Sequence, residues 1–115
     1  MTIRECYGEL GLDFDALLSR LVNEKLVQKF ALKFLDDPSF QNLKDALAAK
    51  DVETAFRAAH TLKGVCLNLG FDNLYPSSKD LTELLRAGSM DGYEDLFAEV
   101  EKEYNRTCEA LRKVA

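Results

Sequence analysis

The sequence predicts an all-α protein: an antiparallel, up-down-up-down four-helix bundle with a short additional N-terminal helix. Three observations carry that expectation. Apolar residues recur at the 3.6-residue helical period over long stretches, and almost no run favours a strand. Only two prolines and six glycines punctuate the 115 residues. The segments between these breaks hold several helical turns each, and connections of a few residues make sequential helices antiparallel neighbours.

Taken in order, residues 1–12 read as a weakly structured, weakly helical lead interrupted by Gly8 and Gly11. Asp13 is placed to cap a short helix that turns Phe14, Leu17, Leu18 and Leu21 inward. Asn23 caps a second helix with Leu26, Phe30 and Phe34 at i, i+4 and i+8, although residues 14–35 also fit one unbroken helix. Pro38 ends or kinks that segment. Asp37-Pro38 reads as an N-cap followed by proline in the first helical position, opening a helix to about Ala49 that buries Phe40, Leu43 and Leu47. The segments on either side of Pro38 make one bent arm.

Asp51 is a sound N-cap for a helix over Val52–Leu69, and Gly70 a sound left-handed residue to end it. The next arm runs from about Asn73 to Ala87 with Leu74, Leu81, Leu84 and Leu85 apolar and Gly88 closing it. Pro76 pushes its regular start to around Tyr75 or Ser77. Ser89-Met90-Asp91-Gly92 is a turn. The last arm carries the cleanest stripe, through Tyr93, Leu96, Phe97, Val100, Tyr104, Cys108 and Leu111. Phe30, Phe34, Phe40, Tyr93 and Phe97 all fall at helical spacing and are assigned to the core. No repeat, linker or low-complexity segment divides the chain, so residues 1–115 are read as a single domain.

Bulk properties exclude several classes. At 115 residues the chain is short for an enzyme with its own nucleotide site, and 47% hydrophobic with 30% charged residues is ordinary for a globular protein. A net charge of −5 argues against nucleic-acid binding, which needs a basic patch. Three cysteines, Cys6, Cys66 and Cys108, give no disulfide framework, and Cys66 and Cys108 fall on core stripes. No signal peptide opens the chain, and no apolar stretch approaches the length of a membrane span. A cytoplasmic monomer is the expectation.

The only histidine, His60, lies in the Val52–Leu69 helix. At about 100° per residue, Val52, Ala55, Ala59, Leu62, Cys66 and Leu69 form one apolar stripe, and His60 stands roughly 120° from its middle. Phe56, Lys63, Gly64 and Leu67 share the flank of His60, one or two turns away. Glycine inside a helix costs about 1 kcal/mol relative to alanine, so Gly64 calls for a reason. Four residues after His60, it removes the side chain that would stand beside the imidazole, while Lys63 brings an ammonium to anything the ring carries. An anion on His60 would be reachable and neutralised, which describes a phosphohistidine site. A metal site lacks a second histidine, and the only carboxylate on that face, Glu53, is two turns away. Cys66 points about 120° away from His60, so a Cys–His pair fails. Phe56 and Leu67 are either the rim of the core or an apolar collar for a partner. The acidic residues from Glu94 to Glu103 read as the wet face of the last helix.

The run from Phe56 to Gly70, with His60-Thr61-Leu62-Lys63-Gly64 and Asn68-Leu69-Gly70 at its heart, resembles the signature of histidine-containing phosphotransfer (HPt) domains. The resemblance extends from about Asp13 to about Arg86, with a compatible final helix. It implies that His60 is the phosphorylated residue and that Lys63 and Gly64 match the family's phosphate-facing lysine and small residue; Phe56, Arg57 and Leu67 are the candidate partner-binding residues around it. It also implies response-regulator receiver domains and a hybrid histidine kinase as partners. The phospho-aspartate and Mg²⁺ would belong to the receiver; the chain itself would need no cofactor. It would carry phosphate rather than act as an enzyme, since no glycine-rich nucleotide loop follows a strand. Two other classes share the bundle. One is an interaction module that binds receivers or another signalling partner without carrying phosphate. The other is the phospho-accepting fragment of a longer chemotaxis-type kinase.

Overall fold

The computed structural model describes residues 1–114. Among them are seven α-helices, one 3₁₀ turn and no strand: α1 (Ile3–Glu9), α2 (Phe14–Leu21), α3 (Glu24–Lys33), the turn Phe34–Asp36, α4 (Ser39–Ala48), α5 (Val52–Leu69), α6 (Tyr75–Arg86) and α7 (Tyr93–Arg112). The bundle measures 40 × 23 × 20 Å. Its arms are the bent segment α3–turn–α4, then α5, α6 and α7. Helix α5 lies between α4 and α6, α6 packs on α7, and α1 sits against α2, α3 and α7 at one end. No helix is long and apolar enough to cross a membrane among the described residues.

The caps explain the boundaries. Asp13, Asn23 and Asp51 each accept a hydrogen bond from the backbone N–H three residues on, at 3.0, 2.9 and 3.1 Å, satisfying donors that a helix start leaves open. The arm is interrupted before Pro38 as expected, but the next helix starts one residue later than the sequence suggests: Pro38 takes the N-cap place, and the Asp37 carboxylate accepts from the Ser39 N–H at 2.8 Å. Helix α6 begins at Tyr75 with Pro76 in its first turn, where a missing N–H costs nothing.

The N-terminal lead differs from expectation. Residues 3–9 form a capped helix: the Glu5 N–H donates to Thr2 Oγ1 at 3.1 Å, and the Thr2 N–H to Glu5 Oε1 at 2.9 Å. Ile3, Cys6, Tyr7 and Leu10 are buried at i, i+3, i+4 and i+7. Gly8 faces open space, and Gly11, at φ +73°, comes after the helix rather than interrupting it. A second correction concerns α3. Its inward face is Val27, Ala31 and Phe34, whereas Leu26 and Phe30 stand exposed. The apolar stripe of that helix is wide enough to face the core in either of two rotations. The smaller Val27 and Ala31 let it approach its neighbours more closely.

A string of aromatic rings runs through the core: Phe14, Tyr7, Phe71, Phe34, Tyr104, Phe40 and Phe97, with successive centroids 4.0–5.7 Å apart. At its centre the chain leaves α5. Gly70 takes φ +68°, the Phe71 N–H donates to the Cys66 carbonyl at 2.9 Å and the Gly70 N–H to the Leu67 carbonyl at 3.4 Å. That is a Schellman ending, and the expected role of Gly70 holds. The buried Tyr7 O–H donates to the Leu69 carbonyl at 2.6 Å, capping α5 from a helix 62 residues away in sequence. Burial pushes the Tyr7 phenol well above its ordinary pKa, so it remains a donor.

Tyr7→Phe keeps the ring and leaves the Leu69 carbonyl without this donor. We expect a loss of about 1–2 kcal/mol in urea denaturation, with helix content unchanged. An unchanged midpoint would mean that the bond contributes nothing.

Candidate functional site

Helix α5 has 18 residues, about 27 Å, and His60 is the ninth. Ala55, Ala58, Ala59, Leu62, Cys66 and Leu69 face the core, which turns His60 out to solvent as the sequence predicts. Phe56 is half-buried one turn before it. The two rings lie 5.9 Å apart between centroids and are inclined by only 25°. Side chains on a helix lean toward its N-terminus, so the imidazole tilts onto the residue four positions earlier. Among the described residues neither ring nitrogen of His60 has a hydrogen-bond partner in the protein. The neighbouring Thr61 hydroxyl is occupied, donating to the Arg57 carbonyl at 2.9 Å.

The surrounding charges matter more than the net charge of the chain. Glu53 is held by Arg57 at 2.9 Å, and Glu83 of α6 by Arg86 at 3.4 Å. Lys63 is half-buried and has no carboxylate within 4.0 Å among the described residues. Glu53 and Glu83 are thus each paired with an arginine, whereas the Lys63 ammonium is left available to an anion beside His60 although the chain carries −5 overall. Gly64 completes the opening: a methyl group at its Cα position would meet nothing within 4 Å.

Of the other residues singled out in the sequence, Leu67 is 52% exposed, two turns below His60 on the same face. Arg57 is exposed but engaged, bonding Glu53 and lying 3.4 Å from the Thr54 hydroxyl. Exposed pairs of this kind contribute at most about 0.5 kcal/mol, so a partner could recruit it at little cost. All three cysteines are buried and free. Burial pushes Cys66 up to about 12 and Cys6 up to about 11, which keeps both as thiols and leaves no thiolate for chemistry. No group of three or more metal-ligating side chains occurs among the described residues.

Two features escaped the sequence reading. The guanidinium of Arg86, the last residue of α6, stands 5.0 Å from the centre of the Phe56 ring. Leu21, Phe30, Lys33, Val65, Asn68 and Leu69 line a shallow, mostly apolar depression of about 250 Å³ beside the lower half of α5. Neither has a local signal, because each joins residues from separate helices.

Open space at Gly64 separates two explanations of that glycine. With nothing to collide with, Gly64→Ala should stabilise the free protein by roughly 0.5–1 kcal/mol through helix propensity and reduced unfolded-state freedom. A thermal melt shifted downward instead would mean that the glycine serves packing.

Comparison with protein families matches residues 35–112 to the Hpt domain, from the 3₁₀ turn through α4, α5 and α6 to the end of α7. No curated protein matched the chain. No solved structure matched it either. The match spans more than half of the chain and contains His60, Lys63 and Gly64 on the helix where the geometry places them, and the chain belongs to the Hpt domain family.

Proposed function

We propose that the protein accepts a phosphoryl group on His60 from the phospho-aspartate of one receiver domain and passes it to the aspartate of another. Hpt domains are phosphoryl carriers in phosphorelays and work with receiver domains; they are not kinases. The observation that carries the finer reading is the company of the one histidine. It is exposed at mid-helix, with a lysine free of carboxylates three residues on and an open gap at the fourth.

The chemistry asks little of this chain beyond position. The lone pair on Nε2 of a neutral imidazole forms the N–P bond as the aspartyl O–P bond breaks, and the bonding pair leaves on the carboxylate. The proton on Nδ1 stays where it is. Transfer in the other direction runs the same step backward. Mg²⁺, where the reaction uses it, is held by the receiver. The transferred group brings close to two negative charges, and the Lys63 ammonium can meet its peripheral oxygens with a charge-assisted hydrogen bond. Gly64 leaves room for the receiver's loops to reach the ring. Phe56 and Leu67 offer apolar contact around it, with Arg57 at the edge.

Incubation with a phosphorylated receiver domain should add the mass of one phosphoryl group, labile in acid and stable in base. His60→Gln should abolish that gain while altering stability by no more than about 0.5 kcal/mol, since the side chain is off the core. Phosphate retained on a nitrogen of the mutant would overturn the proposal. A wild-type protein that binds the receiver but never gains mass would identify an interaction module.

Lys63→Ala should shorten the life of the phosphorylated protein or slow transfer, with melting nearly unchanged. Matching lifetimes and rates in mutant and parent would remove Lys63 from the site.

A further inference from the structure

We propose that Arg86 is a positioning residue for His60, acting through Phe56. The inference rests on the phosphotransfer reading above and adds a residue of another helix to the site. The torsion that turns an imidazole about its Cβ–Cγ bond has a broad, shallow preference, so a histidine on an exposed helix face does not fix the direction of its nitrogens by itself. Hydrogen bonds usually do so, and His60 has none within the protein among the described residues. What it has is a ring: Phe56, nearly parallel at 25° and 5.9 Å away.

Phe56 is only half-buried, so its own orientation also needs a cause. Arg86 supplies one. Its guanidinium carbon lies 5.0 Å from the Phe56 centroid, within the range of attraction between a cation and an aromatic face. Glu83, one turn earlier on α6, holds the same guanidinium at 3.4 Å. Glu83, Arg86, Phe56 and His60 thus form a sequence of contacts that carries the rigidity of α6 to the reactive ring on α5. The alternative is that Arg86 acts on the phosphate by its charge. The guanidinium is already engaged by the Glu83 carboxylate at 3.4 Å and the Phe56 face at 5.0 Å, and its exposed charge is weakened by solvent and salt. Orientation is therefore the larger effect: in-line attack needs the Nε2 lone pair aimed at phosphorus, and misaimed rotamers do not react.

The test has two arms, using the full chain. In the unphosphorylated protein, proton NMR reads the ring protons of His60, which the Phe56 ring current shifts. Phe56→Leu should remove that shift, and Arg86→Gln should move it part of the way in the same direction. In single-turnover transfer from a phosphorylated receiver, Arg86→Gln should lower the saturating rate by about two- to fivefold and leave the half-saturating receiver concentration unchanged. Arg86→Lys should recover part of the loss, since an ammonium can stand over the ring but cannot stack on it. The double variant Phe56→Leu/Arg86→Gln should be no slower than Phe56→Leu alone.

Three results would overturn the proposal. Parental His60 shifts in Arg86→Gln mean that there is no link through Phe56. Independent, multiplying rate losses mean that Arg86 acts by another route. A raised half-saturating concentration with an unchanged saturating rate makes Arg86 a docking contact. Should His60 prove unable to take phosphate at all, the phosphotransfer reading fails, while the NMR arm still decides whether the stack orients the ring.

Discussion

A helix can hold a reactive side chain at its midpoint only if its rotation is fixed along its whole length, and in this bundle the demanding point is the C-terminal end of α5. Four carbonyl groups there have no intrahelical donor, and the chain must reverse within two residues. Gly70 adopts the left-handed conformation, Phe71 turns its N–H back to the Cys66 carbonyl, and Tyr7 donates to the Leu69 carbonyl from α1. Leu17 of α2 packs within 3.6 Å of where a Gly70 side chain would begin. Rotate α5 and each of these contacts breaks together. The outward direction of His60, about two and a half turns before that end, follows from the lock.

The lock also assigns a task to the part of the chain outside the family match. The Hpt domain match begins at residue 35, so α1, α2 and α3 precede it. Their contribution is physical rather than chemical. Tyr7 and Phe14 extend the aromatic string that passes through Phe71 and Phe34 to Tyr104 and Phe40. Ile3, Cys6 and Leu10 close the end of the core. A bundle of α4 to α7 alone would leave Phe71 and the end of α5 open to water.

Around the site, pairing decides the field. Two arginines are spent on two glutamates, and Lys63 is left without one. A net charge of −5 over the molecule therefore does not preclude an anion beside Lys63, since salt weakens the distant exposed charges most.

What the sequence determined by itself was whatever local periodicity and local caps control. The helix bounds of α5 were legible because Asp51 and Gly70 each act within a few residues, and the exposure of His60 because the apolar stripe of that helix is narrow and unambiguous. The motif around His60 is contiguous, so the candidate site was legible too, in the positions of Lys63 and Gly64. Residues 1–12 were less legible: Thr2 and Glu5 form a capping box and Ile3, Cys6, Tyr7 and Leu10 keep helical period, but the signal spans only two turns and is offset by Gly8 and Gly11. Tertiary structure alone decided the rest. The stripe of α3 was wide enough for two rotations, and packing selected Val27 and Ala31 over Leu26 and Phe30 because smaller side chains allow closer approach. Tyr7 meets Leu69, and Arg86 meets Phe56, across separations that no period encodes. Such contacts depend on how whole helices are placed in space, and that placement is set by the summed packing of the core.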